Sequence, residues 1–261
     1  MTVTFGVPEI TTPVLVLHTM PYGETSAILR LLSRDLGLVS GIARGARRAK
    51  SRTGPRLDIF SVGSATLLIK PHRDLHPLTS FELSQAHGAL AGDVARFAAA
   101  SALCELALKC ASTEPLPGAY DAATAGLDAL EHAPAEDADT VALLACWGLV
   151  VALGFAPTLD RCVICGEASD GAVAFSAAQG GALCSKHRRG ERASSLGEPD
   201  AAALSAFISG RLPDAPLDSR HVAAHRRLLL SFIRHHLAEH RALPALAFWD
   251  AESWSTDPRV R

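Results

Sequence analysis

The first 80 residues break into short β-rich runs: 14–18 after Pro13, then 28–32, 38–43, 62–69 and 78–83. Charged or glycine-containing turns, such as the one around 34–37, separate them. Five short strands with a turn signal every ten or so residues suit a small closed barrel of the OB-fold type, because closure removes exposed strand edges. Residues 26–32 also fit a short helix, since periodicity does not separate the two over so few positions. From about residue 88 the pattern changes to alanine and leucine at helical spacing. Val94, Phe97, Ala98, Ala102 and Leu106 trace a helix over 94–111, which Pro115 and Pro117 end. A second helix is expected over 119–132. A third, apolar on all sides and therefore buried, spans 139–153 and stops at Gly154 and Pro157. Further helices are expected near 199–209 and 219–241.

These elements define an α+β chain. An N-terminal OB-fold β-barrel (1–85) precedes an α-helical domain (86–158 and 196–261), into which a zinc-binding lobe (159–195) is inserted. No internal repeat is visible. The 261 residues are 48% apolar, enough for a sizeable core, but no charge-free apolar run is long enough to span a membrane. The opening segment lacks the basic start and apolar block of a signal peptide, so a reducing cytoplasm is the expected compartment. Cys104, Cys110 and Cys146 lie within alanine- and leucine-rich patterns and read as small buried apolar residues.

The lobe carries the most specific chemistry. Cys162 and Cys165 form one pair, Cys184 and His187 another, and each pair encloses two residues. A C-x-x-C turn aims two thiolates at one point, and a returning hairpin supplies the second pair, completing a tetrahedral set for one structural Zn²⁺. Gly166 permits the tight turn after Cys165, while Phe175 and the pair Gly180 and Gly181 read as a strand and hairpin turn. Four protein ligands leave no position for an activated water. A disulfide, a redox C-x-x-C and a deaminase site are the competing readings. The deaminase signature requires H-x-E and a proline directly before its C-x-x-C, and residue 161, before Cys162, is arginine.

Net charge is only -2, but it is unevenly divided. Residues 1–80 hold ten lysines or arginines against five acids, whereas the remainder holds 15 against 22. Six of the cations, Arg44, Arg47, Arg48, Lys50, Arg52 and Arg56, lie in one stretch without an acid, interleaved with glycine, alanine, serine and threonine. Such a loop is too polar for core and is suited to neutralising phosphates without reading sequence. Stacking support is thin: Tyr22, Phe60 and Phe81 are the aromatic candidates near it. His72, Asp74 and His76 read as a polar turn between strands, and no phosphate-binding G-x-x-x-x-G-K-[ST] occurs.

Two separated sets of residues resemble one family. Val16-Leu17-His18, Tyr22-Gly23-Glu24-Thr25-Ser26, Gly37-Leu38 and Ala43-Arg44-Gly45-Ala46-Arg47-Arg48 with Lys50-Ser51 resemble the opening of the RecO family of recombination mediators. Gly154-Phe155-Ala156-Pro157, Cys162-Val163-Ile164-Cys165-Gly166, Phe175-Ser176, Gly180-Gly181 and Cys184 resemble its central stretch, and Leu243-Pro244-Ala245-Leu246 its end. The departure is His187, where many zinc-bearing relatives have cysteine. The resemblance implies a non-enzymatic protein that binds single- and double-stranded DNA and anneals complementary strands. It also implies that the protein works with RecR to load RecA onto DNA covered by single-strand-binding protein. Under that expectation, the last long helix, with Arg226, Arg227, Arg234, His235, His236 and Arg241 around an apolar stripe, would receive the acidic, hydrophobic tail of single-strand-binding protein. The alternative function is a zinc-stabilised protein-interaction scaffold that does not touch DNA.

Overall fold

The computed structural model describes residues 8–48, 56–168, 174–188, 193–238 and 241–251. Strands β1 (Glu9–Tyr22), β2 (Ser26–Ser33), β3 (Gly37–Ala43), β4 (Val62–Leu68) and β5 (Leu75–Gln85) close a barrel in the order β1-β2-β3-β5-β4. Residues 26–32 are therefore strand, not helix. β1 is longer than its apolar run predicts because it serves two neighbours. Its first half pairs with β4, its second half with β2, and a register shift between Val16 and His18 bends it from one to the other. β3 and β5 close the barrel as its parallel pair.

Strand geometry explains why the apolar positions here are continuous instead of alternating. Val14 and Val16 of β1, Leu29 and Leu31 of β2 and Val39 of β3 fill the barrel interior together with Leu67 and Phe81. Leu15, Leu17, Leu32 and Leu38 point the other way, into the core shared with the helices. Successive side chains face opposite sides of a strand, so burial on both sides demands apolar residues at every step.

The helical body comprises α1 (Val94–Cys110), α2 (Pro117–His132), α3 (Ala138–Ala152), α4 (Glu198–Ile208), α5 (Ser219–His236) and α6 (Pro244–Ala251). Pro117 does not end α1. It stands in the first turn of α2, where its missing N–H costs nothing, while α1 stops earlier at Cys110. Asp93 caps α1 by accepting the Arg96 amide at 2.9 Å. Alanine and glycine let the helices approach closely: a Cβ on Gly126 of α2 would stand 2.8 Å from the Ala145 Cβ of α3. Cys104 and Cys146 are buried and Cys110 half-buried, and burial pushes the Cys146 thiol up to about 12 and that of Cys110 up to about 11. α5 stops at His236 instead of reaching residue 241. The sequence pattern did not predict α6. Its N-terminal amide at Leu246 donates to the buried Glu105 carboxylate of α1 at 2.9 Å, a negative group placed where a helix start favours one.

Strands β6 (Ala174–Ser176), β7 (Gly181–Leu183) and β8 (Ser194–Ser195) form a small sheet in the order β7-β6-β8. The Phe175 ring leaves this sheet fully buried and lies 6.3 Å from the ring of Phe232 on α5, so the lobe shares the helical core. His236 adds a polar tie, its Nε2 donating to the Ala177 carbonyl at 2.6 Å. Among the described residues no helix is long and apolar enough to cross a membrane.

Candidate nucleic-acid interface and metal centre

The four ligand atoms of Cys162, Cys165, Cys184 and His187 lie within 4.8 Å of one another. The β6–β7 hairpin brings the pairs together, as the glycine signals predicted. Gly180 holds a positive φ of 81° at the turn. Gly181 packs so tightly on the Thr158 carbonyl that a Cβ has no room there. Each pair sits on its own tight turn: the Gly166 amide, with φ 74° at that residue, donates to the Cys162 carbonyl at 2.8 Å, and the His187 amide donates to the Cys184 carbonyl at 3.0 Å.

The spacing fits a single tetrahedral ion. The sulfurs of Cys165 and Cys184 are 3.8 Å apart, and His187 Nδ1 stands 3.2 Å from the Cys184 sulfur and 3.6 Å from that of Cys162. A tetrahedron with metal–sulfur bonds of about 2.3 Å has edges of about 3.8 Å. The local field favours the thiolate at two of the four ligands, Cys162 and Cys184. Burial of Cys162 opposes its thiolate, but the amides of Cys184, Cys165 and Ile164 outweigh that and bring the thiol down to about 6. Cys184 is shifted down in the same way by the amides of His187 and Lys186, and hydrogen bonds to the two sulfurs raise His187.

Of the six loop cations, Arg44, Arg47, Arg48 and Arg56 are described and exposed, whereas Lys50 and Arg52 lie outside the described residues. The loop start is pinned while its charges stay in solvent. Ala46 is buried in the barrel core, the Arg47 amide donates to the Thr25 carbonyl at 2.9 Å, and the Arg48 amide donates to Gly45 at 3.1 Å. Among the described residues no carboxylate pairs with Arg44, Arg47, Arg48 or Arg56. The aromatic candidates separate sharply: Phe60 and Phe81 are 2% and 5% exposed, Tyr22 53%. At the start of β5, His76 is buried and its Nδ1 accepts the Lys70 amide at 3.1 Å, an arrangement that shapes the turn before the strand.

The basic set on the last long helix is largely committed elsewhere. Arg226 is buried, pairs with Asp139 at 3.3 Å and stacks on Trp249 with its guanidinium carbon 5.6 Å from the ring centre. Arg241 lies beyond α5 and donates to the Lys109 carbonyl at the end of α1. With His236 bound to the lobe and Arg241 exposed but tied to the end of α1, Arg227, Arg234 and His235 are the exposed members on α5 itself. Helical spacing puts Arg226 on the face of Val222, Leu229 and Ile233, but its partners come from α3 and α6, so only the tertiary structure shows what it is paired with.

A five-stranded barrel whose loop arginines meet no carboxylate among the described residues is joined to a helical body with a cluster of four potential metal ligands, and the comparisons place a chain of this architecture among DNA repair proteins. Residues 7–87 match the family described as Recombination protein O N terminal, and residues 91–244 match Recombination protein O C terminal. The chain is 36% identical over 242 residues to the DNA repair protein RecO of Anaeromyxobacter dehalogenans strain 2CP-C, covering 90% of this chain and 94% of that protein. It is 38% identical over 173 residues to the DNA repair protein RecO of Bifidobacterium animalis subsp. lactis, covering 65% and 70%. This chain belongs to the RecO family of DNA repair proteins.

Proposed function

We propose that this protein is a non-enzymatic recombination mediator. It binds single- and double-stranded DNA through Arg44, Arg47, Arg48, Lys50, Arg52 and Arg56, anneals complementary strands, and with RecR loads RecA onto DNA coated by single-strand-binding protein. The observation that carries this reading is the group of three arginines, Arg44, Arg47 and Arg48, exposed at one end of the barrel with no carboxylate partner among the described residues. Cations left unpaired on a backbone pinned to the barrel attract phosphates through charge alone. Held near two backbones, they lower the repulsion that opposes pairing, while base edges stay free to find their complements. No nucleotide hydrolysis is needed for that step. The division into a barrel at 1–85, a helical domain at 86–158 and 196–261 and a lobe at 159–195 assigns DNA to the first and partner contacts to the rest. The tail of single-strand-binding protein would meet Arg227, Arg234 and His235, since these stay in solvent.

The lobe holds one Zn²⁺ by this reading, in a structural role. Support comes from the soft three-sulfur, one-imidazole donor set and its spacing, which suit Zn²⁺ and leave no open position. Annealing of complementary oligonucleotides, followed over a salt series without nucleotide and with or without RecR, tests the function. Replacing Arg47, Arg48 and Lys50 by alanine should weaken binding strongly at low salt and flatten the dependence of log affinity on log salt by about two. Unchanged affinity in that variant would remove the loop from the mechanism.

A further inference from the structure

The loop cations do not stand alone on the barrel. Arg44 and Arg48 line an open trough of about 760 Å³ together with Lys70 and Arg73, which come from the turn between β4 and β5. Parallel pairing explains the juxtaposition: Ser40, Gly41 and Ile42 of β3 lie against Leu75, His76 and Pro77 of β5, so the two turns flank one short stretch of sheet. The lysine-bearing turn is held in shape. His72 adopts a positive φ of 61°, and the His76 ring receives the Lys70 amide from below. Tyr22, at the end of β1, closes the trough near Arg44 with 53% of its surface exposed, and it is the aromatic ring lining the trough. Asp74 is the acid on this lining, set against four cations.

We propose that the trough is a seat for single-stranded DNA, in which Tyr22 stacks an unpaired base and Lys70 and Arg73 form a second cationic bank beside Arg44 and Arg48. The inference rests on DNA binding by the barrel loop and extends it. A cationic channel with one aromatic platform fits a strand whose bases are unpaired, because a π-face is available to a ring only when the base is out of its duplex. The two banks hold the backbone on either side of that base. Lys70 and Arg73 therefore belong to the binding surface, although their turn looks like an ordinary polar connection in the sequence.

The experiment measures binding of a fluorescent single-stranded oligonucleotide and of a duplex of equal length to the full-length protein at low salt. Circular dichroism and melting verify the fold of each variant. Tyr22→Ala should weaken the single strand at least about fivefold, leave the duplex unchanged, and be rescued in Tyr22→Phe, which keeps the ring. Lys70→Ala with Arg73→Ala should weaken the single strand and flatten its salt dependence, and Asp74→Asn should tighten it. Wild-type affinity for the single strand in both the Tyr22→Ala and Lys70→Ala/Arg73→Ala variants, with loss in Arg44→Ala/Arg48→Ala, would discard the trough and keep the loop. Equal losses for duplex and single strand in the Lys70 and Arg73 variant would overturn the assignment to single strands. Failure of the wild-type protein to bind either probe would remove both readings.

Discussion

Gly37, the first residue of β3, packs its main chain directly on the carbonyl of Glu114, leaving no room for a Cβ between barrel and helical body. Close by, the Leu38 amide donates to the Ser112 carbonyl at 2.8 Å, and Arg34 grips Asp121 with two hydrogen bonds of 3.0 and 3.2 Å. The ion pair is half in solvent and adds little to stability. The glycine contact is different in kind. Gly37 has a positive φ of 67°, so a side chain there is strained by its own backbone as well as by its neighbour. Gly37→Ala should cost about 3 kcal/mol in denaturant unfolding. A loss below about 1 kcal/mol would show that the barrel and helical body shift apart easily.

Arg226 is a structural cation. Replacing it by alanine removes the partner of Asp139 and the ring contact with Trp249, and should lower stability by about 3 kcal/mol, the scale of a broken buried pair. Methionine, which keeps much of the volume, should cost less. Oligonucleotide affinity of the folded Arg226→Met protein should equal that of the wild type, and titration with a labelled strand checks this.

Acid should loosen the packing of α4 against α5. His225 is buried, with Nε2 3.3 Å from Asp200 Oδ1, and it meets the Phe207 ring edge-on at 5.6 Å. Burial lowers its pKa below the ordinary histidine value, a shift to which His221 adds and which the Asp200 charge opposes. A lowered folded-state pKa means that the unfolded chain takes up the proton first. The stabilisation is thus fully present above about pH 6.5 and is lost as pH falls through the folded value, at no more than about 1.4 kcal/mol per pH unit. Melts at pH 7.5 and 5.5 should show a smaller acid shift for His225→Leu than for the wild type.

Metal removal should act on the lobe and spare the loop. The lobe has a small cluster of its own, Cys162, Ala174, Leu183 and Cys184, too few apolar residues to hold it without a staple. Chelation, or Cys162→Ser, should release one zinc per chain and lower the melting temperature by about 5 °C or more. DNA affinity, measured in parallel below that temperature, should change little. A Cys162→Ser protein that keeps its zinc and melts like its parent would refute the four-ligand cage.

Features set by local spacing were legible in the chain itself. The two ligand pairs, the glycines at 166, 180 and 181 and the five strand runs each depend on neighbours a few residues away; the four ligands come together, and every run falls on a strand, with β1 and β5 extending well beyond theirs. Helix limits were less legible, because a terminus depends on what satisfies its free amides and carbonyls. Pro117 reads equally well as a stop or a start, and the first turn of α6 donates its Leu246 amide to Glu105, 141 residues away.

The sequence by itself determined which residue types sit together along the chain: four soft ligands, six cations on a polar loop, apolar runs long enough for a closed barrel. Tertiary structure alone decided which charges remain in solvent and which are consumed as structure. It turned Arg226 inward onto Asp139 and Trp249 and Arg241 onto the end of α1, and brought Lys70 and Arg73 to the same trough as Arg44 and Arg48. The reason is physical: a cation's worth depends on the dielectric around it and on partners from distant elements, and neither is a property of its neighbours in sequence.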